Sequence, residues 1–562
     1  MPSQITDRFP FLQIRSNTPS SLRVEPSRSG EPTLIHHHMA LHSRYDPIRE
    51  AQRDIKQIPH QADVILIAGF GLGYIVDAVI ENYPNIAVII IEPEAEYFIL
   101  ANQHRDLQNI AKHAKITILH TEQVELLTKQ LLEWQSEHPF WLELRTRTNM
   151  DTTFFEPYRL AFKQYQQRVQ TNRLTLGQYS WLWWRNGLKN RQDWITMKPV
   201  SHLFHQFQEM PILVIAAGPS LSYHIESIKL LQERMLLICV ETALRILLHH
   251  DVRPDIVVSI DSQYWNARHL DNLQLADILY VLEGSVHPML IRNIPKTMRY
   301  LMDPLTPIFQ PLKSILPPMG SLRSGGSVSI TAWDLALQMN PSSIWCLGFD
   351  FAYPHAATHA KGALFEEWLV ASASRLNPVT MQQHLLVHQK SILVPNHHGE
   401  MIRSDARMQL YQQWIEEALT KEKIPSYNLS SLGALIRGMS YKSIKEAGTL
   451  PYIRPRIDNI LQKVKQLPSV MIDHASISKQ FQKVNKELDN AINTIRELNT
   501  IQEFAEFQQS ISSSLMQFSL MPYIRYWLDP LQQSAEQKSF LAGKECLLIK
   551  LEALSTAFGD PS

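Results

Sequence analysis

Twice along this chain an apolar strand-like run breaks at glycine and passes at once into a helical pattern. Residues 63–69 lead to a helix from Gly73, and residues 211–217 lead through Gly218-Pro219-Ser220 to a helix from Leu221. Each junction opens a longer alternation. Behind the first come strand-like runs at 86–92 and 115–119 with a helix from Glu94 between them; behind the second come runs at 236–240, 256–261, 278–283 and 343–348. A strand joined to its neighbour through a helix returns in the same direction, so both alternations predict parallel sheets covered by helices.

At 562 residues the chain is long enough for about three domains of roughly 150–200 residues each. The expected fold is therefore α/β, with two Rossmann-like doubly wound domains over 1–185 and 186–448 and a C-terminal helical bundle over 449–562. Residues 1 to about 60 read as an irregular lead-in ending in a helix, LHSRYDPIREAQRDIKQI. A long helical segment from about Thr153 carries Trp181, Trp183 and Trp184 and reads as a connector packing between domains. Residues 389–404 read as an irregular excursion before a helix from Asp405, and the prolines of LPYIRPR (450–456) mark a linker. Beyond it Val484, Leu488, Ile492, Ile495 and Leu498 recur at the three- and four-residue spacing of an amphipathic helix.

With 44% hydrophobic and 19% charged residues, the composition is that of a folded globular protein. The 54 basic residues balance the 54 acidic ones, which removes the electrostatic case for nucleic acid or an anionic membrane surface as partner. No apolar stretch reaches the length of a membrane-spanning helix, and MPSQITDRFPFLQIRS lacks the apolar core of a signal peptide. Cys239 and Cys346 lie inside apolar runs and Cys546 stands apart, which fits buried thiols in a reducing compartment better than disulfides or a metal site. The expectation is a cytoplasmic protein with neither membrane insertion nor a metal.

The turn Gly218-Pro219-Ser220-Leu221 places a helix start after a strand, where unpaired N–H groups and the helix dipole favour an anion, with Ser220 as N-cap. In an open α/β sheet ligands bind beyond the carboxyl ends of strands. There the chain carries Glu241 and Thr242 after one strand, Asp261 at the end of the next, and Asp350 after a later one. Ser324-Gly325-Gly326-Ser327 opens another helix and is a second potential anion cradle. Tyr353, His355 and His359 follow Asp350 in a loop, and Asn396-His397-His398-Gly399 precedes the helix from Asp405. In the first domain Gly69, Gly71 and Gly73 stand between strand and helix, and Glu92 closes the next strand near the spacing that reads a ribose hydroxyl. This is a possible second site, although such a glycine set serves close strand–helix packing equally well.

The segments HSRYDPIREA (42–51), IAAGPSL (215–221), VRPDIVVSID (252–261), GGSVSITAWDLAL (325–337), GFDFAY (348–353) and NLSSLGALIRGM (428–439) together resemble the motility-associated-factor glycosyltransferases. The resemblance implies transfer of a nonulosonic acid of the pseudaminic or legionaminic type from a CMP donor to Ser or Thr of flagellin, before export, with no further cofactor. The central domain also resembles the bacterial CMP-sialic-acid-dependent sialyltransferases. That likeness implies that Gly218, Pro219 and Ser220 hold the nucleotide phosphate, that Ser324 to Ser327 line the CMP pocket, and that Tyr353 and His359 face the leaving phosphate. It implies that His397 or His398 is the general base; Glu241 stands where those enzymes carry an asparagine. GPSL and the later acidic positions are also shared with archaeal-type hydroxymethylpterin diphosphokinases, where Asp261 and Asp350 would hold Mg²⁺. A flagellin-binding factor without catalysis is the third reading.

Overall fold

The computed structural model describes residues 21–59, 61–134, 136–305, 316–389, 391–469, 474–500, 502–503, 506–507 and 537–559. The N-terminal stretch inspected for a signal peptide, and the side chain of Val484, lie outside the described residues. The chain divides into two compact units, residues 1–172 and 173–562.

The first unit opens with an antiparallel sheet, β1 (Leu22–Pro26), β2 (Pro32–His36) and β3 (Met39–Ala40), where the sequence suggested an irregular lead-in. The turn of Ser27 to Gly30 closes the hairpin, Ser27 N donating to Glu31 O at 2.8 Å. A second sheet follows, built from β4 (Val64–Ala68), β5 (Ala87–Ile91), β6 (Ile116–Leu119) and β7 (Pro139–Glu143), all parallel in the order β6-β5-β4-β7. The central pair β4 and β5 is buried at every position, which is why both runs are uninterruptedly apolar. The chain moves outward from β4 to β6 and returns on the other side of β4, so the topological switch lies between β4 and β7.

The helix Thr152–Trp194 runs through the division at 172. Its last turns belong to the core of the second unit: Trp184, Leu188 and Trp194 are buried there, with Trp181 and Trp183 packed against them. Two buried amides fix this segment. Asn186 Nδ2 donates to the carbonyls of Ser262 and Ser285 (2.8 and 3.0 Å), and Asn190 Nδ2 to those of Gly284 and Val286 (3.1 and 2.8 Å).

The second unit is organised by a nine-stranded sheet whose pairings are all parallel. Its strands are β8 (Lys198–Pro199), β9 (Pro211–Ile215), β10 (Leu236–Val240), β11 (Ile256–Ser259), β12 (Leu279–Leu282), β13 (Arg299–Leu301), β14 (Ser343–Leu347), β17 (Ser426–Asn428) and β18 (Ser440–Tyr441). The order β18-β17-β14-β9-β10-β11-β12-β13-β8 puts the switch point between β9 and β14. The supposed excursion before Asp405 is an antiparallel hairpin, β15 (Ser391–Pro395) and β16 (Met401–Asp405). Asn396 forms its turn, the side-chain oxygen accepting from His398 N and Glu400 N at 2.9 Å each.

The described residues of the tail include the helices Arg454–Gln466, His474–Glu497 and Gln537–Gly559. Ile457, Leu461, Leu488, Ile492, Ile495 and Leu551 are buried in the same core as β9 to β14. The LPYIRPR segment is therefore not a free linker. Arg454 forks onto the buried Asp255 carboxylate at 2.6 and 3.2 Å, and Arg234 donates to Leu450 O. Cys239 and Cys346 are buried free thiols. No helix among the described residues is long and apolar enough to cross a membrane.

Candidate active site

The switch point of a doubly wound sheet leaves a crevice because the flanking helices depart to opposite faces. Here it lies beyond β9 and β14, between the Gly218 turn and the turn of Gly348 to Asp350. The first anion at that place is the protein's own. Asp350 Oδ2 accepts the N–H of Ser220 at 2.8 Å, and Gly218 N donates to Gly348 O at 3.2 Å. Ser220 is not a side-chain N-cap: its Oγ is buried without a partner, and the cap is the aspartate. Gly218 is glycine because a Cβ there would strike Asp350 Oδ2 and Gly348 O. Burial pushes the Asp350 carboxyl up to about 6 against the pull of the Ser220 N–H bond.

The open helix start is the other one. Helix Val328–Gln338 begins at Ser327 with no side-chain cap, and the N–H groups of Val328 and Ser329 meet no acceptor among the described residues. Ser327, Val328 and Ser329 line a cavity of about 170 Å³ together with Gly218, Pro219, Thr242, Asp350 and His359. Of the expected Ser324–Ser327 cradle, only Ser327 reaches the wall. Trp414 covers the buried Gly325, a Cβ on Gly326 would strike Tyr411, and Ser324 is exposed. Leu221 is a core residue of the following helix.

Near the carboxyl ends of these strands, though lining neither cavity, polar atoms are buried without partners among the described residues: Ser220 Oγ after β9, Glu241 Oε2 after β10, Ser259 Oγ at the end of β11, and Thr331 Oγ1 on the helix packed across these strands. Buried hydrogen-bonding capacity left unused is uncommon in folded proteins and marks places where water or a ligand completes the network. Glu241 is 1% exposed, and burial, aided by Asp261, pushes its carboxyl up to about 8. Asp261 holds Gln263 N at 2.9 Å in a turn on the same rim.

A larger cavity of about 900 Å³ shares Thr358, His359 and Met408 with the first. Trp265, Phe365 and Trp368 give it an aromatic wall, and Tyr353, Asp405 and Arg407 give it a polar one. Tyr353 donates its hydroxyl to Asp405 Oδ2 at 2.6 Å, and Asp405 Oδ1 caps the next helix by accepting from Met408 N at 2.7 Å. Burial, then the Asp405 bond, holds the Tyr353 phenol up at about 12. His359 stacks on Phe365; burial and then Arg407 push its imidazole down to about 4, so it is neutral near pH 7. Asp405 was legible only as a helix start, and Arg407, Trp265 and Trp368 escaped the motif reading because none of the three sits at the end of a strand.

Two expected groups fall elsewhere. His397 and His398 sit at the tip of the β15–β16 hairpin and line neither cavity; His397 lies near Tyr441 of edge strand β18. In the first unit the glycine loop is filled by protein. Glu92 accepts Phe70 N at 3.0 Å and is gripped by Arg147 at 2.7 and 3.1 Å. His42 Nε2 accepts Leu72 N at 2.8 Å; burial pushes that imidazole down to about 3, so it is the neutral acceptor the bond requires. A Cβ on Gly71 would strike the His42 ring, and Gly69 lies against the Arg147 stem. Gly69, Gly71, Gly73 and Glu92 thus assemble around side chains, not around an empty crevice.

Comparison with known proteins agrees with this architecture. The family described as 6-hydroxymethylpterin diphosphokinase MptE-like matches residues 185–356. Uncharacterized proteins of Treponema pallidum (strain Nichols) are similar over parts of the chain. One is 28% identical over 233 residues, 35% of this chain and 58% of the relative; another is 23% identical over 397 residues, 66% of this chain and 67% of the relative. This chain thus spans a little over half the length of the first of these. Among solved structures, the MAf glycosyltransferase from Magnetospirillum magneticum AMB-1 superposes with a TM-score of 0.62 at 14% identity, covering 99% of this chain and 96% of that one. The class defined by fold is therefore a mixed α/β protein carrying an MptE-like domain. The particular fold is that of a Maf glycosyltransferase, as the motif resemblance implied.

Proposed function

We propose that this chain is a glycosyltransferase that moves a nonulosonic acid, of the pseudaminic or legionaminic type, from a CMP-activated donor to a Ser or Thr hydroxyl of flagellin in the cytoplasm. The observation that carries the reading is the uncapped start of helix Val328–Gln338 facing the switch-point cavity. When the bond from the anomeric carbon to the donor phosphate breaks, CMP leaves as a phosphate monoester and gains charge on its oxygens. Fixed N–H groups at a helix start stabilise that charge without a metal. The acceptor oxygen attacks the opposite face of the anomeric carbon, giving inversion, and its proton passes to a base. His359, neutral and on the wall common to both cavities, suits that role better than His397 or His398. Arg407, 3.6 Å from Asp405, is the cation on the larger wall suited to the donor's carboxylate, and the aromatic wall suits the acceptor.

The MptE-like match favours a second reading, pyrophosphoryl transfer from ATP with Mg²⁺. Against it, Asp350 is buried and committed to Ser220 N. Calorimetric titration separates the two: binding of CMP is expected, and binding of ATP–Mg²⁺ without CMP overturns the transferase reading. Intact-mass measurement of flagellin co-expressed with the donor pathway tests transfer. The wild-type chain adds one or more sugar masses, while His359→Gln retains CMP binding and adds none. Unmodified flagellin from both, with flagellin still bound, would instead make the chain a binding factor.

A further inference from the structure

A cavity of about 240 Å³ in the second unit shares no wall residue with the two described above. Arg185 and Lys189, four residues apart on the helix Thr152–Trp194, form one side; His287 and Arg292, around the short helix Pro288–Asn293, form the other. No carboxylate lines it. The cationic side is held in place, because Asn186 and Asn190 anchor the same helical turns to the carbonyls of Ser262 and Gly284.

The charges are uncompensated among the described residues: Arg185 Nε is buried without a partner, and its Nη2 reaches only Asn186 Oδ1 at 3.4 Å. Among the described residues neither Lys189 nor Arg292 forms an ion pair. All three fields converge on His287: burial first, then Arg185, Lys189 and Arg292 lower its pKa, so the ring is neutral and accepts Met289 N at Nδ1. Three cations facing one small cavity with no acid repel one another, an arrangement relieved by a bound anion. Two guanidinium groups and an ammonium around so small a volume match a compact, multiply charged anion better than the single spaced carboxylates of an acidic peptide.

We propose that this cavity binds a phosphate monoester or diphosphate group of a small molecule. It lies at the end of an aromatic row. Tyr264 meets His287 at 5.4 Å and Trp265 at 5.2 Å, and Trp265 meets Trp368 on the wall of the larger cavity at 4.5 Å. The proposal does not depend on the donor reading, since none of these cations lines the CMP cavity.

The test is calorimetric titration of the full chain with inorganic pyrophosphate at low salt, for the wild type and for Lys189→Glu/Arg292→Glu. Both positions are exposed, so the variant is expected to keep the wild-type melting temperature and CMP affinity. Saturable pyrophosphate binding by the wild type is expected, weakened at least about tenfold in the variant. Should the variant fold poorly, Arg185→Gln gives the same reading with one charge removed. No saturable binding by the wild type, or equal binding by a folded variant, overturns the site. A tri-aspartate peptide that binds as tightly as pyrophosphate overturns the phosphate assignment. Because CMP is titrated separately, failure of the donor reading is visible apart from failure here.

Discussion

A carboxyl group buried under the strand ends, whose compensating hydrogen bond comes from its own backbone N–H, gains little by ionising. Glu241 is in this position, with Oε2 unpartnered and its pKa pushed up to about 8. A protonated carboxyl offers both a donor and an acceptor, so a glutamate held neutral here hydrogen-bonds in both directions. Because the folded pKa exceeds the unfolded one, the folded chain holds this proton more tightly. The associated stability is fully present below the unfolded value of about 4.5 and is lost as pH rises through about 8. Glu241→Gln removes this dependence. Thermal or denaturant unfolding from about pH 5 to 9 is expected to show the variant gaining on the wild type by on the order of 1–4 kcal/mol towards the alkaline end. Parallel curves would mean that Glu241 is ionised. Asp350 gives a second comparison. Asp350→Ala strands the buried Ser220 N–H and is expected to cost about 1–3 kcal/mol in urea unfolding, whereas Asp350→Asn keeps an acceptor and costs less. Asp350 was legible as a strand-end residue, but its capping of Ser220 was not. The two are 130 positions apart, and a serine before a helix looks locally like its own cap.

Helix starts decide between the two anion cradles that the sequence offered. Both follow glycine and carry serine, and nothing local distinguishes them. One is filled by Asp350 delivered from β14; the other, at Ser327, is open to the cavity. Ser327→Asp exploits the difference. Aspartate is a favoured N-cap and complements the dipole, so it should leave melting unchanged or raise stability by about 0.5–1 kcal/mol. The same carboxylate competes for the N–H groups offered to the donor phosphate, and CMP affinity is expected to fall at least about tenfold. A stable variant with wild-type CMP affinity would place the phosphate elsewhere. The G-x-G-x-G loop of the first unit shows the same limit of local reading. Its glycines and Glu92 have nucleotide-site spacing, yet Arg147, 55 positions beyond Glu92, closes the loop. Strands buried on both faces, such as β4, β5, β9 and β10, were legible as apolar runs. Edge strands β7 and β18, with exposed or half-buried positions, gave no such signal.

At the scale of the molecule, the helical tail is the element whose meaning changes most. Prolines and a switch to helical periodicity suggested a separate bundle joined by a linker. Instead, the helices from Arg454 onward contribute Ile457, Leu461, Leu488, Ile495 and Leu551 to the core that holds the parallel sheet. Arg454 neutralises Asp255, whose other role is to accept Leu237 N of β10 at 2.9 Å. Arg454→Met leaves that carboxylate buried and unpaired. The expected loss is roughly 2–4 kcal/mol, below the full cost of breaking a buried pair because Arg454 keeps some contact with water. Truncation after Thr449 uncovers the core over several strands at once and is expected to yield aggregated chain that binds no CMP. In the full-length Arg454→Met variant, probes in the tail and in the sheet should melt together, at a lower temperature than in the wild type, because one core cannot unfold by halves. A truncated chain that stays soluble, melts cooperatively and binds CMP with wild-type affinity would show the tail to be an independent module.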